Sequence, residues 1–139
     1  MATLKIGDLS VGDWVGVRCG TKINAFKVEE IRFNYFIHKY VAVLNNKAYG
    51  LPTTELNPIP ITAEILEANG FVKNGGVYLW SNKQHRVFVC LKEFSPSVDV
   101  EEIDEQFDTM GSRIEVTQLN AHQLQHALRL AGVDKEINL

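Results

Sequence analysis

The tripeptide Pro58-Ile59-Pro60 limits what this chain can fold into more than any other feature of its sequence. Each proline fixes its own backbone angle and lacks an N–H, so neither a helix nor an interior sheet strand runs through the pair. The residues before it read as β. Leu4-Lys5-Ile6-Gly7-Asp8 and Asp13 to Arg18 are β-prone segments separated by Gly and Asp turns. Phe26 and Val28 share one face of a strand, whereas Ile31, Phe33 and Tyr35 fall one residue out of phase, so a bulge at Glu29-Glu30 is needed to turn both sets inward. Tyr35 to Leu44 continues as a β-prone stretch, Asn45-Asn46 can supply the positive φ angles of a hairpin, and Lys47 to Leu51 returns before Pro52 ends the ladder. Short, bent strands over residues 1–60 predict an SH3-like small β-barrel, because closure removes the unpaired edges of an open sheet.

Residues 61–139 predict an α-β-β-β-α unit with a C-terminal helix, which makes the expected fold class α+β. Thr62 is a good N-cap, Glu64 suits the first turn and Gly70 supplies a left-handed residue, so a short helix is bounded at Ala63 and Asn69. Phe71 is placed to pack back on Ile65 or Leu66. Asn74-Gly75 signals a hairpin between Phe71–Lys73 and Val77–Trp80, and Val87 to Leu91 is a further strand. Beyond Ser95-Pro96, Val100, Ile103 and Phe107 lie at helical spacing, while Gly111 and the many acids suit an irregular loop. Ile114-Glu115-Val116 is a candidate last strand. Thr117 or Asn120 caps a final helix ending at Gly132, with Ala121, Leu124, Leu128 and Ala131 as its apolar stripe and His122, Gln125 and Arg129 on a face expected to be wet.

Composition narrows the setting. The chain has 139 residues, 45% of them hydrophobic, which suits one domain or two small subdomains with a core. Its longest apolar runs, Val41 to Leu44 and Val87 to Leu91, fall far short of the roughly 20 residues of a membrane-spanning helix. The start, Met1 to Asp8, has no basic region followed by an apolar stretch, so a cytoplasmic protein without a membrane partner is expected. Cys19 and Cys90 fit neither a disulfide framework nor a paired metal motif and read as free, buried thiols. The net charge of −3 argues against a non-specific nucleic-acid binder. Seven acids and no base lie between Glu93 and Asp108; the rest of the chain holds 14 basic against 10 acidic side chains.

Three constellations bear on chemistry. His122 and His126, four apart on a helix, can reach one metal ion, but Gln123 stands where a metalloprotease needs a glutamate, and an amide takes no proton from metal-bound water. A metal-dependent enzyme on these two histidines is therefore an alternative, and no cofactor is expected. Arg32 to Tyr40 interleaves Arg32, Tyr35, Lys39 and Tyr40, a composition that stacks bases and neutralises phosphates, and that also arises when a strand points aromatics inward and charges outward. The acidic run, with Glu101, Glu102, Asp104 and Glu105 at its centre, lacks the spacing of a calcium loop and reads as a solvated segment or a docking patch for a basic partner. Trp14 on a small barrel is core or a peptide platform. No phosphate-binding glycine loop is present, and Ser81, Ser95, Ser97 and Ser112 lack the setting of an esterase nucleophile, so no catalytic residue is assigned.

Leu4 to Asp8 with Gly12-Asp13-Trp14-Val15, then Pro58 to Thr62 through Ile65 to Phe71, then His122 to Gly132, taken in that order, resemble small uncharacterised proteins of phages and mobile elements of gut bacteria. The resemblance covers most of the chain, and its motifs are caps, turns and packing signals; in that family the position of Gln123 is often Glu. It implies an accessory role. The expected function is a non-enzymatic binding module recognising a protein partner through the barrel surface or the acidic segment, with nucleic-acid binding through Arg32 to Tyr40 as the alternative and homo-oligomers compatible with either.

Overall fold

The computed structural model describes Leu4 and residues 6–45, 50–52, 55–103 and 110–139. Lys5, Asn46, Lys47, Asp104, Glu105, Phe107 and Asp108, invoked above, lie outside these residues. Two antiparallel sheets and two α-helices make an α+β protein, divided into Met1–Ile59 with Leu139 and Pro60–Asn138.

In the first unit the strands are β1 (Trp14–Cys19), β2 (Lys22–Asn34), β3 (Lys39–Leu44), β4 (Gly50–Pro52) and β5 (Leu56–Asn57), in the spatial order β4-β3-β2-β1-β5. The expected bulge is present: β2 pairs with β3 through Val28↔Leu44 and then Glu30↔Val43, leaving Glu29 as the extra residue. Because side chains alternate with period two, one inserted residue brings Ile31 onto the face that Phe26 and Val28 occupy. That face covers a core of Leu4, Leu9, Val15, Val17, Val28, Ala42, Leu44, Leu51 and Leu56, with Phe26 and Ile31 against it. The sheet is half-barrel-like. One edge strand was not expected: β5, after Pro52, pairs with β1 through Gly16↔Asn57 and Val17↔Leu56. Ile6–Asp8 is a 3₁₀ turn rather than a β segment, anchored by the buried Leu4 and Leu9.

The second unit opens with α1 (Ala63–Ala68). Its ends are as written in the sequence: Thr62 Oγ1 accepts from Ile65 N at 3.3 Å, Gly70 takes φ +87°, and Phe71 N donates to Leu66 O at 3.0 Å while its ring is buried. A meander follows, β6 (Val72–Asn74), β7 (Val77–Ser81), β8 (His85–Cys90), β9 (Ser97–Glu102) and β10 (Met110–Glu115), in sequence order across the sheet. Among the described residues five strands stand where three were expected with Ile114 to Val116 as a candidate further one, which β10 overlaps. Residues 97–102 of the acidic run are β9, neither helix nor loop, because Val98 and Val100 alternate with Asp99 and Glu101 and pair with Val89 and Val87 of β8. All four valines are buried.

The last helix, α2 (Ala121–Leu130), buries Ala121, Leu124 and Leu128. Asn120 is its cap residue, and Gln123 Oε1 accepts from Asn120 N at 2.9 Å. Its expected wet face is corrected in part: Arg129 is exposed, but His122 and Gln125 are each only 5% exposed, and residues 133–138 fold back over Gln125. No helix of the described residues is long and apolar enough to cross a membrane.

Candidate functional site

Beyond the bulge, β2 and β3 form a ribbon whose two faces follow from period two. Ile31 pairs with Ala42 on the core face, and the next pair on that face is Phe33↔Tyr40. Arg32, Asn34 and Lys39 lie on the opposite face. Where the core ends, the inward face continues as an aromatic surface: the Phe33 ring meets Tyr35 and Tyr40 edge to face, with centroids 5.1 and 5.2 Å apart.

The tip is a four-residue turn, Tyr35–His38, where a continuous strand was expected. Asn34 makes it: its Oδ1 accepts from Phe36 N at 2.9 Å and Ile37 N at 3.4 Å, the reach of a short polar side chain to backbone two and three residues on. His38, at φ 52°, returns the chain into β3. The turn presents Tyr35 at 78% exposure, Phe36 at 98% and Ile37 at 46%, and Tyr40 beside it is 54% exposed. Three consecutive large apolar residues are thus exposed, and Arg32, His38 and Lys39 around them are also exposed. Phe36, Ile37 and His38 were not singled out in the sequence. The signal that could have found them is Asn34, a turn former between two β-prone runs.

Trp14, on the same unit, does not join this tip. Trp14 is half-buried and pairs with Lys27, whose ammonium lies 5.7 Å from its ring. Lys27 and Asn34, at the foot of the turn, are seven positions apart on β2, roughly 20 Å at strand rise. In β9, Asp99 is bound by Arg113 across the β9–β10 pair at 3.1 Å, and Arg113 also reaches Glu115 at 2.7 Å. The Glu115 hydrogen bond, then the Asp99 charge, raise the Arg113 pKa above its ordinary value. Glu101 stands opposite Arg86, and Glu102 opposite His85. Asp99 of the acidic segment is thus matched by a cation within its own sheet.

His122 and His126 lie with ring centroids 6.0 Å apart, edge to face. The residues between them have structural tasks: Gln123 caps the helix, Leu124 is wholly buried and Gln125 bonds to Lys135 O and Ile137 N. Among the described residues no group of three or more His, Cys, Asp or Glu side chains could hold a metal ion. Cys19 is exposed and Cys90 half-buried, so the expectation of two buried thiols is corrected. Cys90 lines a shallow recess of about 580 Å³ with Ala63, Tyr78 and Leu91, flanked by Lys73 and Lys92. Comparison with protein-family models, with curated proteins and with solved structures finds no match to this chain.

Proposed function

We propose that this chain is a non-enzymatic binding module, an accessory protein of a phage or mobile element, whose first unit is an SH3-like barrel presenting the β2–β3 hairpin to a protein partner. One observation carries the reading: Tyr35, Phe36 and Ile37 project from a turn fixed by Asn34 and backed by the rings of Phe33 and Tyr40. Aromatic side chains on a rigid turn are strong interface anchors, since they bury large area at little entropic cost. Burying Phe36 and Ile37 contributes about 1.5–3 kcal/mol each before the costs of association. Arg32, His38 and Lys39 around the tip favour a partner whose apolar pocket has an acidic rim.

The test compares capture from source-cell lysate by the native chain and by Phe36→Ser/Ile37→Ser. Loss of the same stoichiometric protein from the variant, with capture kept by Glu101→Gln/Glu102→Gln, supports the hairpin. Equal capture by both variants refutes it.

Nucleic acid is the second reading, favoured by the ribbon's separation into an aromatic face and an opposite face that carries Arg32 and Lys39. Residues 1–59 also carry seven basic against five acidic side chains, while residues 60–138 carry seven against twelve. Retention on single-stranded DNA that falls steeply with salt and is lost in Phe36→Ser and Lys39→Gln would move the assignment there.

A further inference from the structure

Residues 133–138 follow α2 with no regular secondary structure, yet they are built into the second unit like a docked ligand. Gly132, at φ +76°, ends the helix, and Val133 N donates back to Leu128 O at 2.8 Å. From there burial alternates as in an extended strand: Val133 and Ile137 are buried, Lys135 is half-buried, and Asp134, Glu136 and Asn138 are exposed. Among the described residues no strand ladder receives this backbone. Two side-chain amides read it instead. Gln125 Nε2 donates to Lys135 O at 3.0 Å and its Oε1 accepts from Ile137 N at 2.8 Å. Asn69 Nδ2 donates to Asn138 O at 2.8 Å and its Oδ1 accepts from Asn138 N at 2.7 Å. The Lys135 ammonium sits 5.6 Å from the centroid of the Trp80 ring.

Each amide offers a donor and an acceptor to main chain alone, which fixes an extended conformation whatever the side chains are. Selectivity comes from the alternate positions that face the protein: an aliphatic site for Val133, the Trp80 face for a cation, and a closed site for Ile137, which is 1% exposed. We infer that the groove bounded by Asn69, Trp80 and Gln125 is a recognition site for an extended peptide of the pattern aliphatic-x-basic-x-aliphatic, occupied here in cis by residues 133–138. The occupant in trans is a segment of a partner protein with that pattern, and it binds when the cis segment leaves. This site is independent of the hairpin tip.

The test uses the full chain carrying Ile137→Asp, which removes the buried anchor from the cis segment, and a labelled peptide Val-Asp-Lys-Glu-Ile-Asn with blocked ends. The variant should bind the peptide about tenfold or more tighter than the native chain, whose groove is filled. A peptide with Asp in place of its Ile should not bind, and one with Glu in place of its Lys should bind several-fold more weakly. A folded variant that ignores the peptide overturns the inference. Should Ile137→Asp not fold, amide exchange in the native chain decides. Excess unlabelled peptide then has to accelerate exchange at Ile137 and Asn138 while leaving Leu124 unchanged, and exchange at all three that is indifferent to peptide overturns it equally.

Discussion

Gln125→Ala removes both hydrogen bonds that this buried amide makes to Lys135 O and Ile137 N. The Ile137 N–H is buried and loses its partner, which costs roughly 1–3 kcal/mol; the Lys135 carbonyl is nearer solvent and costs less. Lost packing of a side chain that is 5% exposed adds to this, so the expected destabilisation is about 2–4 kcal/mol. For a unit of this size that corresponds to a fall in Tm of roughly 10–25 °C. The assay is urea and thermal unfolding followed through Trp80 fluorescence in a Trp14→Phe background, so that the signal reports the second unit. A loss below about 0.5 kcal/mol, the range of an ordinary surface substitution, would show that the amide does not hold residues 133–138 in place. Gln125→Glu sharpens the test. Its introduced carboxyl still accepts from Ile137 N, but it donates to Lys135 O only when protonated. Burial and that carbonyl both raise its pKa in the folded state above the unfolded value of about 4.3. The stability of this variant is therefore retained below about pH 4 and lost as pH rises through the folded-state pKa, relative to the native chain at each pH. A pH-independent difference between the two would contradict the arrangement.

Gly50→Ala places a methyl group against the buried Val41 side chain, 2.9 Å from its Cβ, and should lower the stability of the first unit by about 1–3 kcal/mol in urea melts. Thr62→Ala removes the bond to Ile65 N and should cost about 1 kcal/mol by the same assay, with Thr62→Ser close to native. Phe36→Ser changes a side chain that is 98% exposed, so the melting curve should move by less than about 0.5 kcal/mol even though capture of the partner is lost; a large stability loss would mean that Phe36 packs against the fold.

Features set within a few residues were legible in the sequence. The Thr62 cap, the left-handed Gly70 with Phe71 behind it and the bulge at Glu29 all depend on backbone geometry and alternation inside one short window, and each is found where the residues put it. The hairpin expected at Asn74-Gly75 turns one residue later, through Gly75-Gly76, with Asn74 paired to Val77. Long-range pairing decided the rest. Val98 and Val100 fit a strand while Val100, Ile103 and Phe107 fit a helix, and what settled residues 97–102 as β9 was the presence of Val87 and Val89 on β8 to pair with. Tyr35 alternates correctly with Ile31 and Phe33, yet the ribbon turns there because Asn34 takes the Phe36 and Ile37 N–H groups. The aromatic and basic composition of Arg32 to Tyr40 could be read from the chain; that its rings point past the end of the core, with Phe36 at the summit, could not. His122 and Gln125 sit on what reads as the wet side of a helix, yet both are buried, Gln125 by the return of residues 133–138. Local sequence fixes turns, caps and the phase of each strand, because those energies act over one or two residues. Which face is covered, and by what, depends on partners far away in the chain, and for this protein that choice shaped both the candidate hairpin and the peptide groove.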